Sequence, residues 1–318
     1  MAARACGGNS FMAMRSGLGY DVILIDRDSL LYRTGLLQHM KFALCNEMFG
    51  ERSLSADMFS AVRELGYTGL EIAPFTFSPN SEPFDMRDVP AERIVDVRTM
   101  AEDVGLEVIG LHWLLAKTDG FYLTSPDPTV RRRTADYLKS LTEVCAGLGG
   151  KIMVLGSPKQ RNLLPGVSYD DAEAYATEVL HATMPTCAQY DVTIAVEPLG
   201  PAEGDFLLNA KAGIRLVEMV DSPHCKLHLD VKAMSSEGRP IGDIIRDSRK
   251  WLVHFHANDP NLLGPGMGDV DFRPIFAALK EIEYHGWVSV EVFKYEPSPD
   301  EIARRSIEYM RKILVCSD

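Results

Sequence analysis

From Lys41 onward, short apolar runs alternate with longer segments of helical period, and the alternation repeats eight times. The runs are 41–45 (KFALC), 69–73 (GLEIA), 106–111 (LEVIGL), 151–155 (KIMVL), 192–197 (VTIAVE), 226–230 (KLHLD), 251–256 (WLVHFH) and 287–292 (WVSVEV). Their length and near-continuous apolarity predict strands buried on both faces, as in a parallel sheet. Between them, apolar residues recur at helical spacing. In 271–284, Asp271 stands where an N-cap belongs, and Phe272, Ile275, Phe276, Leu279 and Ile282 share one face. In 129–148, Val130, Tyr137, Leu138, Leu141, Val144 and Leu148 do the same, and Gly149-Gly150 ends the helix. Segments 56–65 and 91–104 stop at Gly66 and Gly105, each just before a strand, and a weaker helical pattern follows the sixth strand near 240–249.

Eight strand–helix repeats leave roughly 34 residues per unit, the length a βαβ series requires. The count of eight favours closure into a single (β/α)8 TIM barrel of class α/β. No GxGxxG follows the first strand to suggest an open dinucleotide-binding sheet. No linker-like stretch divides residues 40–318, which read as one catalytic domain. Residues 1–39 read as an N-terminal extension outside the core. Their longest apolar run, Val22 to Ile25, is too short for the apolar centre of a signal peptide.

Composition narrows the partners. The chain has 318 residues, 46% apolar and 25% charged, with a net charge of -12. So acidic a surface suits neither nucleic acid, which is bound by neutralising its phosphates, nor an anionic membrane. No apolar stretch approaches the roughly 20 residues of a membrane span. The six cysteines are scattered without a CxxC pair and read as reduced thiols of a cytoplasmic protein. A homo-oligomer is compatible with all of this.

The chemistry lies at the C-terminal ends of the strands, where such barrels carry their reacting groups. Those positions are Glu197, Asp230, His256 and Glu291, separated by 33, 26 and 35 residues, each about one strand–helix unit. One acid at a strand end reads as a loop residue or a helix cap. Four metal-capable side chains in register on consecutive strands predict one divalent-metal site. Three carboxylates and an imidazole suit Mn2+ first, with Mg2+ or Co2+ as alternatives. Two residues earlier on each strand, Ala195, His228, His254 and Ser289 share the face but lie deeper. His228 and His254 read either as donors that orient the carboxylates or as satisfied core residues. His112-Trp113 follow the third strand as a candidate sugar-facing pair, with ordinary core as the alternative for Trp113. Lys159, Gln160 and Arg161 follow the fourth strand and read as a solvated loop, with contact to substrate hydroxyls or a phosphate as the alternative.

VEPLG around Glu197, HLD around Asp230, HFHAND around His256 and SVEVF around Glu291 resemble the xylose isomerase-like sugar isomerase/epimerase superfamily. Its ketose 3-epimerase branch is the nearest, and the resemblance spans about 41–315. It implies that Glu197, Asp230, His256 and Glu291 hold one divalent metal, with Glu197 and Glu291 also serving as the acid/base pair. It implies too that Glu203 contacts a substrate hydroxyl. Two positions depart from the family: Ala233 stands where epimerases carry a His, and Leu262 where they carry an Arg, both of which touch substrate oxygens. Lys232 is a candidate replacement for the lost positive group, and Asp259 a candidate acceptor behind the ligands.

The implied reaction is proton abstraction next to a carbonyl of a sugar or keto-sugar, through an enediolate that a bound cation stabilises. The same site admits elimination by a dehydratase or lyase on a keto-sugar, keto-inositol or 3-keto-glycoside. An apurinic endonuclease would need more ligands and a basic groove, and a non-catalytic sugar-binding protein would not need all four ligands.

Overall fold

The computed structural model describes residues 40–315; the N-terminal extension, Cys6 and Cys316 lie outside the described residues. Eight parallel strands close into one barrel in chain order. They are β1 (Lys41–Cys45), β2 (Gly69–Ile72), β3 (Glu107–Leu111), β4 (Ile152–Leu155), β5 (Thr193–Val196), β6 (Cys225–Asp230), β7 (Leu252–Ala257) and β8 (Trp287–Val290). Ala43 of β1 lies opposite Gly69 of β2 on one side and Ser289 of β8 on the other, which is the closure. The helices that follow the strands are α1 (Ala56–Glu64), α2 (Ala91–Asp103), α3 (Pro128–Gly147), α4 (Tyr169–Tyr190), α5 (Ala210–Val220), α6 (Ile241–Ser248), α7 (Phe272–Glu281) and α8 (Pro299–Val315).

The start and stop signals act as their chemistry dictates. Asp271 caps α7 by accepting the Arg273 N–H, and Ser55, Asp127, Ser168 and Asn209 cap α1, α3, α4 and α5 in the same way. Gly66 and Gly105 adopt φ of 98° and 74° just beyond α1 and α2, a left-handed turn that a side chain would strain. The weak pattern near 240–249 does form α6, whose Ile244, Ile245 and Ser248 are buried. Strand ends differ from the apolar runs by one or two residues. β5 stops at Val196 because Pro198, two residues on, has no N–H to continue a ladder.

The N-terminal end of the barrel is closed by apolar packing of Trp287 with Ala43 and Ile109. A Cβ on Gly69 would lie 2.6 Å from the indole, so only glycine leaves room for it. The polar interior therefore faces the opposite, C-terminal rim. No helix among the described residues is long and apolar enough to cross a membrane.

Candidate active site

The structure brings the four strand-end residues to one rim. Asp230 ends β6 opposite His256 of β7, and His256 lies opposite Ser289 of β8. Glu197 and Glu291 stand one residue past β5 and β8. All four are buried. Ligand-capable atoms of Glu197, Asp230 and His256 lie within 4.8 Å of one another, and His228 joins that group. Glu291 enters through His256, with Oε2 3.1 Å from Nδ1.

Each acid is held by neighbours that leave little freedom. Asp230 accepts the Ala233 N–H at 2.8 Å and the Asn258 side-chain amide at 2.5 Å. Asn258 in turn accepts the Lys232 N–H at 2.8 Å, so the loop after β7 fixes the loop after β6. Glu291 accepts the Trp113 indole N–H at 2.7 Å. Trp113 reaches it from a left-handed backbone, φ 55°, a strained conformation for a bulky residue that marks sites where a side chain must be aimed. The Glu197 N–H donates to the Leu155 carbonyl at 3.2 Å, and its carboxylate lies against Gly156. A Cβ at position 156 would collide with Oε2 of Glu197. Gly156→Ala is therefore expected to displace that carboxylate and cut turnover at least tenfold while leaving the melting temperature nearly unchanged. Kinetics paired with thermal denaturation checks this.

Several sequence expectations meet a different geometry. His254 donates to Glu71 at 2.6 Å and to none of the four rim acids. Nε2 of His228 lies 3.7 Å from Glu197, beyond hydrogen-bond range, and both its ring nitrogens lack a hydrogen-bond partner. Asp259 accepts the N–H groups of Asn261 and Val270, at 3.2 and 2.9 Å, and so braces its own loop. His112 lines the cavity and pairs with Glu47 at 2.7 Å. Lys232 reaches Glu203 at 2.6 Å, with its ammonium 4.3 Å from the centre of the Phe293 ring.

Arg161 is a clear correction. It is not part of a solvated loop: only 2% of it is exposed, and Nη1 donates to the Leu155 carbonyl at 3.2 Å, the group that also anchors Glu197. Its Nε and Nη2 have no partner among the described residues. Lys159 is exposed and, with Gln160, lines the cavity as expected of that loop.

Sequence reasoning missed Glu71 and Glu47. The signal for Glu71 was present: an acid between Leu70 and Ile72 in an apolar strand must be buried, and a buried carboxylate needs partners. Glu47, in the turn Asn46–Arg52 after β1, gave no comparable signal.

The charges are strongly coupled. Burial, with repulsion from Glu291 and Asp230, pushes the Glu197 carboxyl well above its usual range. Burial likewise raises Asp230, to about 6, against the pull of Lys232. Burial also acts to raise Glu291, but His256, His112 and the Trp113 hydrogen bond outweigh it and leave Glu291 below its ordinary value. His256 rises despite burial because Glu71 and Glu291 flank its ring. Burial lowers Arg161 to about 10, with Glu197 and Glu203 opposing.

Glu197 and Glu291 open onto a cavity of about 720 Å3, whose walls also include His112, Trp113, Glu203 and Phe293. Trp113 and Phe293 have ring centres 6.1 Å apart, an apolar surface beside the acids.

Residues 59–313 match the family described as xylose isomerase-like TIM barrel, and the chain belongs to that family. The chain is 24% identical over 273 residues to a probable ketose 3-epimerase of Synechocystis, covering 80% of this chain and 89% of that protein. It is 28% identical over 251 residues to the D-psicose 3-epimerase of Enterocloster bolteae, covering 78% of each. The structure of D-psicose 3-epimerase with D-tagatose from Clostridium cellulolyticum superposes with a TM-score of 0.75 at 20% identity, over 86% of this chain and 99% of that one. By this kinship the chain is an enzyme of the isomerase class.

Proposed function

We propose that the chain is a divalent-metal-dependent epimerase or isomerase of a small keto-sugar, with Glu197 and Glu291 as its acid/base pair. The supporting observation is the clustering of Glu197, Asp230 and His256, joined by Glu291 through His256, beside a cavity that Glu197 and Glu291 line. The donors fit a metal. Three buried carboxylates crowd together, and the upward push on Glu197 and Asp230 is the repulsion and desolvation that a dication would offset. Three oxygens and one nitrogen suit Mn2+, which we prefer over Mg2+ and Co2+. When bound, such an ion polarises a carbonyl and stabilises the charge that develops as the adjacent C–H is lost.

The chain's own groups do the rest. Glu197 and Glu291 come from β5 and β8, three strands apart around the ring, and so approach a sugar carbon from different sides. One removes the proton and the other returns one to the opposite face, which inverts the centre. Glu203, held by Lys232, meets a hydroxyl, while Trp113 and Phe293 cover the C–H surface. This chemistry belongs to 40–318, with 1–39 as an N-terminal extension outside the core. Four free buried thiols, Cys45, Cys145, Cys187 and Cys225, support a reducing, cytoplasmic setting.

A second reading has its own support. His112, polarised by Glu47, lies beside Glu291 and can hand a proton to a departing oxygen. Elimination from a keto-sugar, keto-inositol or 3-keto-glycoside would follow. Both readings meet one experiment: incubation of ketoses, keto-inositols and 3-keto-glycosides with the protein and Mn2+ in deuterated water, followed by NMR. Deuterium beside the carbonyl together with a new epimer or isomer supports the proposal. An unsaturated carbonyl absorbing in the near ultraviolet would transfer the case to elimination, and no exchange in any class would defeat both.

A further inference from the structure

Glu71 lies on β2 with no exposed surface, and its carboxylate receives two imidazoles from β7. Nε2 of His254 is 2.6 Å from Oε1, and Nε2 of His256 is 2.9 Å from Oε2. The Cys45 thiol is a third donor, 3.7 Å from Oε2. With His254, His256 and the Cys45 thiol all converging on its two oxygens, the carboxylate is the acceptor, and the hydrogen of each imidazole contact sits on Nε2.

For His256 this has a directional consequence. With Nε2 committed to Glu71, the other nitrogen, Nδ1, is the one turned to Glu291 at 3.1 Å and toward the rim acids. No competing hydrogen bond comes from His228, which packs edge-on with ring centres 4.1 Å apart and has no partner of its own.

We infer that Glu71 is a positioning residue that holds His256 by Nε2 and fixes its tilt, so that Nδ1 is the nitrogen presented to the cation. This rests on the metal reading above. A carboxylate behind a metal-ligating histidine raises its basicity and locks its ring, and loss of such a partner costs about 10–100-fold in metal affinity. Glu71→Gln keeps the shape but replaces one acceptor oxygen with an amide NH2. Glutamine cannot accept from both imidazoles in the same way, so one ring must turn or change tautomer.

The test has two arms on the full-length protein. Titration calorimetry with Mn2+ is expected to show affinity at least tenfold weaker in Glu71→Gln than in wild type. Long-range proton–nitrogen NMR of the Zn2+-loaded wild-type protein is expected to find hydrogen on Nε2 of His256 and none on Nδ1. The second arm needs no variant, so a Glu71→Gln protein that fails to fold leaves the inference fully testable. Affinity reduced less than tenfold in a folded variant, or hydrogen on Nδ1 with the cation on Nε2, overturns the role of Glu71 alone. A wild-type protein that binds neither ion overturns the metal reading, and Glu71's role with it.

Discussion

Glu291→Gln is expected to lower kcat by about 10²–10⁴-fold, the usual contribution of a positioned acid or base, while Mn2+ remains bound. The glutamine keeps an oxygen that can still accept from Trp113, so the wall of the cavity should hold its shape. It cannot take up a proton from a C–H group. The loss should therefore fall on kcat with little change in KM, the pattern of a group that acts in the transition state. Glu197→Gln is expected to behave alike, since either carboxylate alone leaves half of the proton traffic undone. The assay is turnover of whichever sugar shows exchange in deuterated water, with bound metal measured on the same sample. Turnover within tenfold of wild type, with metal bound, would remove Glu291 from the acid/base pair.

His256→Ala is expected to have two effects at once. The ring links the rim to the interior, with Nδ1 on Glu291 and Nε2 on Glu71. Without it the cation loses its nitrogen donor, and affinity for Mn2+ should fall at least 100-fold. Glu71 would remain buried with one of its two imidazoles gone. Breaking a buried charge pair from one side costs about 3–5 kcal/mol, and the surviving His254 contact places the loss toward the lower end. Calorimetric titration and chemical denaturation read the two effects separately. Full affinity in a destabilised variant would contradict the ligand role while leaving the packing argument intact.

The barrel was legible because its signal is local. Eight apolar runs separated by amphipathic segments allow few other architectures, and a strand end is a position one can count to. That is how Glu197, Asp230, His256 and Glu291 could be selected without coordinates. The interior behind them was not legible, since it depends on which strands face each other across the barrel. Glu71 and His254 are 183 residues apart and meet only after β1 to β8 close. Arg161 was misread for a related reason. The segment 121–125 crosses the loop after β4, where Leu123 donates to the Gln160 carbonyl and Thr124 to that of Arg161, and a loop so covered is buried. Asp259 could have been read better: an aspartate accepting from the N–H two residues on is a local turn, which the DPN sequence at 259–261 allows.

The most direct measurement uses wild-type protein stripped of metal by chelation, its metal content checked by elemental analysis. It is then incubated with the active keto-sugar in deuterated water, with and without one equivalent of Mn2+. Carbon-bound deuterium should be absent from the stripped sample and should appear once the ion is restored. Undiminished deuterium uptake in protein proven free of metal would contradict a shared cation at the mouth of this barrel.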